Sequence, residues 1–73
     1  MIQVNGAEQL KGGLVMYRIL VVDDEAKIRL LIRKYAEFEG HEVTEAENGM
    51  EAVRLFRKTP DAFDIVIMDV MMP

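Results

Sequence analysis

Ile19-Leu20-Val21-Val22-Asp23-Asp24-Glu25 decides the fold. Four branched apolar residues in a row leave no polar face. As a strand, such a run is stable only with both faces covered, the condition that parallel sheets impose. The run ends abruptly on three acids, which sets a carboxylate pair at the carboxyl end of the strand. A second run, Ile65-Val66-Ile67-Met68, has the same character and ends on Asp69.

Between the two runs the period changes. From Ala26 to Glu39 the apolar residues Ile28, Leu31, Ile32, Tyr35 and Phe38 fall at helical spacing. Lys27, Arg29, Arg33, Lys34 and Glu37 are read as the solvent side, and Gly40 suits the left-handed residue that closes a helix. His41 to Ala46 alternates around Val43 and reads as a strand near a sheet edge, with His41 solvated. Asn48 is a candidate cap for a helix over Gly49 to Lys58, which Thr59-Pro60 ends. The order strand, helix, strand, helix, strand predicts an α/β fold. Its three-stranded parallel sheet has right-handed crossovers and is ordered 2-1-3.

Residues 1–16 differ from this body. Asn5-Gly6 and Gly12-Gly13 mark turns or links, so the segment is expected to be a flexible N-terminal extension. Ile2-Gln3-Val4 carries only a faint strand signal.

Composition narrows the function classes. Of 73 residues, 51% are hydrophobic and 30% charged, which is the balance of a folded chain. A net charge of -4 argues against a nucleic-acid surface. With no cysteine, disulfides and thiolate metal sites are excluded. No apolar stretch approaches the ~20 residues of a membrane span, and no secretory leader is read, so the expected location is the cytoplasm.

The chemistry is expected where the strands end. In an open parallel sheet the binding crevice lies beyond the carboxyl ends of the strands, where strand order reverses. Neighbouring strands are ~4.8 Å apart, so Asp23, Asp24 and Asp69 would share one acidic pocket. Crowded carboxylates resist ionisation, and a hard divalent cation such as Mg²⁺ relieves that cost. A carboxylate beside such a metal can act as a nucleophile and form an acyl phosphate. Glu25 is assigned to the first helical turn rather than to the metal. No glycine-rich phosphate loop follows the first strand, and the Asp-x-Asp of aspartate-nucleophile phosphatases is replaced by Asp23-Asp24-Glu25.

Three segments together resemble a response-regulator receiver domain of two-component signalling. They are Ile19 to Glu25, then Glu45-Ala46-Glu47-Asn48-Gly49-Met50-Glu51-Ala52, then Asp64 to Pro73. The likeness spans residues 17–73. It implies a flavodoxin-like fold in which Asp69 is the phospho-acceptor. Asp23, Asp24, Asp69 and the backbone carbonyl of Met71 would hold Mg²⁺, with a sensor histidine kinase as phosphate donor for the parent protein. It implies a binding and switching module rather than an enzyme. A receiver has five strand-helix units ordered 2-1-3-4-5, and the 73 residues supply three strands and two helices. Residues 17–73 are therefore expected to be a partial receiver. The strand-4 Ser/Thr and strand-5 Lys that hold the phosphoryl group are not among them, so weak Mg²⁺ binding and impaired signalling are expected. A chain this short buries only roughly 60% of its unfolded surface. The alternative expectation is a self-associating fragment whose fold is completed by homodimerisation, strand 65–68 pairing with its copy; a swapped arrangement or recruitment of Ile2 to Val4 as an added strand are the less favoured versions of the same remedy.

Overall fold

The structure is a computed structural model that describes residues 2–4, 9–11 and 14–68. Its elements in chain order are β1 (Ile2–Val4), β2 (Gln9–Lys11), β3 (Leu14–Met16), β4 (Arg18–Val22), α1 (Ala26–Phe38), β5 (Glu42–Ala46), α2 (Gly49–Lys58) and β6 (Ile65–Met68).

The main sheet runs β1-β6-β4-β5. β4 pairs in parallel with β5 on one side and β6 on the other, with Leu20 level with Thr44 and with Val66. The branched run of β4 is buried throughout: Ile19, Leu20, Val21 and Val22 are 6%, 0%, 0% and 1% exposed. Alternation sends these residues to two opposite cores. Leu20 and Val22 pack with Ala46, Ala52, Phe63 and Val66, against Leu55 and Phe56 of α2. Ile19 and Val21 pack with Val43, against Ile32 and Ala36 of α1. One helix therefore covers each face of the parallel strands, as a strand with no polar side requires.

The helix ends follow local chemistry. Asn48 Oδ1 accepts from the Glu51 backbone N–H at 2.9 Å, which caps α2. Gly40 has φ +90°. Around it, the His41 N–H donates to Ala36 O and the Gly40 N–H to Glu37 O, both at 3.0 Å, closing α1 in a Schellman motif. Glu25 sits at the N-cap of α1, one residue before the helix in which it was expected, and its side chain makes no capping bond.

Several expectations are corrected. The sheet is not wholly parallel and three-stranded: β1 adds a fourth strand antiparallel to β6, with Gln3 opposite Val66. Residues 1–16 therefore do more than extend the chain. They supply β1, and also the antiparallel pair β2-β3, in which Leu10 faces Val15 in register. The physical reason is the edge of β6, whose unpaired N–H and C=O groups accept any extended segment within reach. The edge assigned to a second copy is taken by the chain's own Ile2–Val4. His41 is half-buried rather than solvated. Its Nδ1 accepts from the Tyr17 N–H at 3.0 Å, and the two rings lie 5.3 Å apart.

The starts of β4 and β6 are clamped by a pair of residues that sequence reading did not single out. Asp64 is fully buried. Its Oδ2 accepts from Arg18 N at 2.8 Å and from Arg18 Nε at 3.2 Å, and its Oδ1 accepts from Nη2 at 3.0 Å. The Asp64 N–H returns a bond to Arg18 O at 2.8 Å. The Arg18 side-chain hydrogen bonds hold the Asp64 carboxyl below its ordinary pKa, against the opposing effect of burial.

Two predictions follow from these contacts. The folded Asp64 binds its proton less tightly than the unfolded one. Its contribution is therefore complete above the ordinary carboxylate value and is lost as pH falls through the lowered one. Asp64→Asn should cost about 2 kcal/mol at neutral pH, the scale of hydrogen bonds to a charged group. It should also flatten the loss of stability below about pH 4, and denaturant titrations at several pH values measure both. Deleting residues 1–4 should speed hydrogen exchange at Ile65–Met68 while Leu20–Val22 stay protected. Unchanged exchange in β6 would show that β1 does not shield that edge.

Candidate functional site

The parallel register sets the site. Val22 of β4 stands level with Met68 of β6 and with Ala46 of β5. Asp23 and Asp24 follow Val22 directly. Asp69 follows Met68 in the sequence but lies, with Met71, outside the described residues. The structure therefore brings Asp23 and Asp24 to the carboxyl end of the central strand.

These two carboxylates occupy different environments. Asp23 is buried, at 7% exposure, whereas Asp24 is exposed. The Asp23 N–H donates to Ala46 O at 3.1 Å, which extends the β4-β5 ladder by one residue. Its Oδ1 accepts from the Glu25 N–H at 2.8 Å. Its carbonyl accepts from Arg29 Nη1 at 2.6 Å. Oδ2 has no partner among the described residues. A buried carboxylate with one committed and one free oxygen, beside a second exposed carboxylate, is a hard-oxygen donor set. It fits Mg²⁺ and does not fit a soft metal. Among the described residues no three acidic, His or Cys side chains gather into a metal-holding group.

Sequence reading placed Arg29 and Arg33 on the solvent side of α1. The structure turns both towards the sheet. Arg29 Nε donates to Glu45 Oε1 at 3.0 Å, and Arg33 Nη1 donates to Oε2 of the same carboxylate at 2.6 Å. Arg33 Nη2 also reaches Val43 O at 3.1 Å. Arg33 Nε lies 3.4 Å from Glu37 Oε2, an ion pair that makes no hydrogen bond and adds little at this exposure. The signal was present in the pattern. Glu45 is opposite the fully buried Val21, on the face that α1 covers. A carboxylate there requires donors, and arginines four apart on one helix supply them.

A doubly wound type of α/β sheet with carboxylates closing its central strand defines a class: strand-end acidic domains whose chemistry sits at the sheet's carboxyl edge. Comparison with known proteins makes the class specific. The family model for the response regulator receiver domain matches residues 19–73. The chain is 48% identical over 56 residues to the transcriptional regulatory protein ResD of Bacillus subtilis, covering 77% of this chain and 22% of that protein. It is 40% identical over 58 residues to the response regulator SaeR of Staphylococcus aureus, covering 80% of this chain and 24% of that one. A crystal structure of a response regulator receiver domain protein from Clostridium thermocellum superposes with a TM-score of 0.73 at 38% identity. It covers 78% of this chain and 45% of its own. The chain belongs to the response regulator receiver domain family. It spans less than a quarter of the length of these curated relatives. No helix among the described residues is long and apolar enough to cross a membrane.

Proposed function

We propose that this chain carries the phosphoryl-accepting corner of a two-component receiver. In this reading Asp69 is the acceptor. One of its carboxylate oxygens attacks the phosphorus of a phosphohistidine on a sensor kinase. The P–N bond breaks, the imidazole leaves, and an acyl phosphate remains on Asp69. Asp23, Asp24, Asp69 and the Met71 carbonyl are the residues that would hold Mg²⁺. When bound, the ion would offset the negative charge gathered at the carboxylates and the phosphoryl oxygens. The observation that carries the reading is the free oxygen of the buried Asp23. An oxygen with no protein partner at the end of the central strand is available to a hard cation. The protein is read as a switch rather than an enzyme, working in the cytoplasm.

Incubation of the chain with acetyl phosphate and Mg²⁺, followed by intact-mass analysis, tests the reading. The expected result is one phosphoryl increment that disappears in Asp69→Asn. An increment that survives Asp69→Asn would move the acceptor elsewhere and overturn it.

One observation favours self-association as a second reading. Leu31, Tyr35 and Phe38, at helical spacing along one side of α1, are 52%, 70% and 86% exposed, and Met50 of α2 is 85% exposed. Exposed apolar side chains gathered on one helix face mark an interaction surface. Since β1 occupies the β6 edge, any homodimer would use the helix faces rather than strand pairing. Light scattering should then give a dimer mass that Tyr35→Glu with Phe38→Glu converts to monomer. A wild-type monomer at micromolar concentration would remove this reading.

A further inference from the structure

We propose that Arg29 is a positioning residue for the acidic pair, holding Asp23 so that its free oxygen stays aimed at the cation site. The proposal rests on the reading of Asp23 and Asp24 as cation ligands.

The geometry is that of a brace. Arg29 leaves the first turn of α1, where its backbone N–H donates to Glu25 O at 3.1 Å. Its guanidinium then bonds in two directions. Nη1 reaches the Asp23 carbonyl at 2.6 Å, and Nε reaches Glu45 at 3.0 Å. The Arg29 side chain is only 12% exposed, so water competes little for these bonds. Glu45 is held in turn by Arg33, whose second nitrogen bonds the Val43 carbonyl on the same strand. A continuous chain of hydrogen bonds thus runs from β5 through Arg33, Glu45 and Arg29 to Asp23, the residue that follows β4.

The consequence lies in what remains of Asp23. Its N–H is committed to Ala46, its carbonyl to Arg29 and its Oδ1 to Glu25. These three anchors leave one polar atom, Oδ2, with nothing among the described residues to bind. Arg29 meets the main chain of Asp23 and not its carboxylate. It fixes the residue without neutralising it, and its own charge is balanced by Glu45. A planar fork with donors at fixed angles can hold both partners at once. An ammonium on a flexible stem is a poor replacement.

This separates positioning from charge. If Arg29 acted only through its charge, removing it would lower the positive potential near the pair and strengthen cation binding, while lysine would change nothing. A positioning role predicts the opposite sign for removal and a loss with lysine as well. Mn²⁺ affinity of the full chain, measured by electron paramagnetic resonance of the free ion, reads the difference, with circular dichroism checking the fold of each variant. Arg29→Met should weaken Mn²⁺ binding by roughly tenfold, the scale on which groups that orient metal ligands act. Arg29→Lys, which keeps the charge and is the safer variant for folding, should weaken it by a smaller factor in the same direction. Equal or tighter Mn²⁺ binding by both variants, beside a wild type that binds, overturns the proposal alone. A folded wild-type chain that binds no Mn²⁺, or that binds it unchanged in Asp24→Asn, overturns the reading of the pair and the proposal with it.

Discussion

The molecule depends on the burial of one five-residue strand on both faces and both edges. Ile19, Leu20, Val21 and Val22 give β4 no side that tolerates water. Full burial of each such side chain is worth about 1.5–3 kcal/mol, and the four together outweigh any single polar contact in the domain. The strand can be satisfied only in the middle of a sheet with a helix on each face. Once it is central, its last residues are central too. Asp23 and Asp24 therefore reach the sheet's carboxyl edge because of the apolar residues before them.

Polar contacts then refine what burial has ordered. Apolar side chains choose faces and cannot set register to one residue, because Ile, Leu and Val are nearly interchangeable along a strand. Arg18 and Asp64 make that choice for β4 and β6 through four hydrogen bonds at one end of the pair. The Arg29, Arg33 and Glu45 brace secures β5 and α1 at the other end of the sheet, next to Asp23. The two devices lie at opposite ends of β4. Each replaces the solvation that its charges lose with bonds to charged or main-chain partners, which is why charge is tolerated so near the core.

Much of this was legible in the sequence. The two apolar runs, the helix stripe ending at Gly40 and the Asn48 cap each rest on local chemistry, and local chemistry is what one chain displays. The candidate pair Asp23-Asp24 was legible for the same reason, since an acid that interrupts an apolar run marks the strand's end. What escaped were partnerships between distant segments. Three residues such as Ile2-Gln3-Val4 carry so little pattern that their pairing beside β6 was only the less favoured expectation, although an edge that needs hydrogen bonds accounts for it. Arg29 and Arg33 read as solvent-facing because helical charge usually is. Only the position of Glu45 on the sheet face beneath α1 turns them inward. His41 followed the same logic, its half-burial set by Tyr17, 24 positions away.

The central claim is that function is seated at the carboxyl end of β4. Paramagnetic broadening of backbone amide resonances by substoichiometric Mn²⁺ maps the cation directly onto the fold. The account predicts that Asp23, Asp24 and Glu25 broaden first, while Arg18, Glu42 and Asp61 at the other end of the sheet keep their lines. Broadening centred on Glu37, Glu39 or Glu42, with Asp23 and Asp24 untouched, would contradict it.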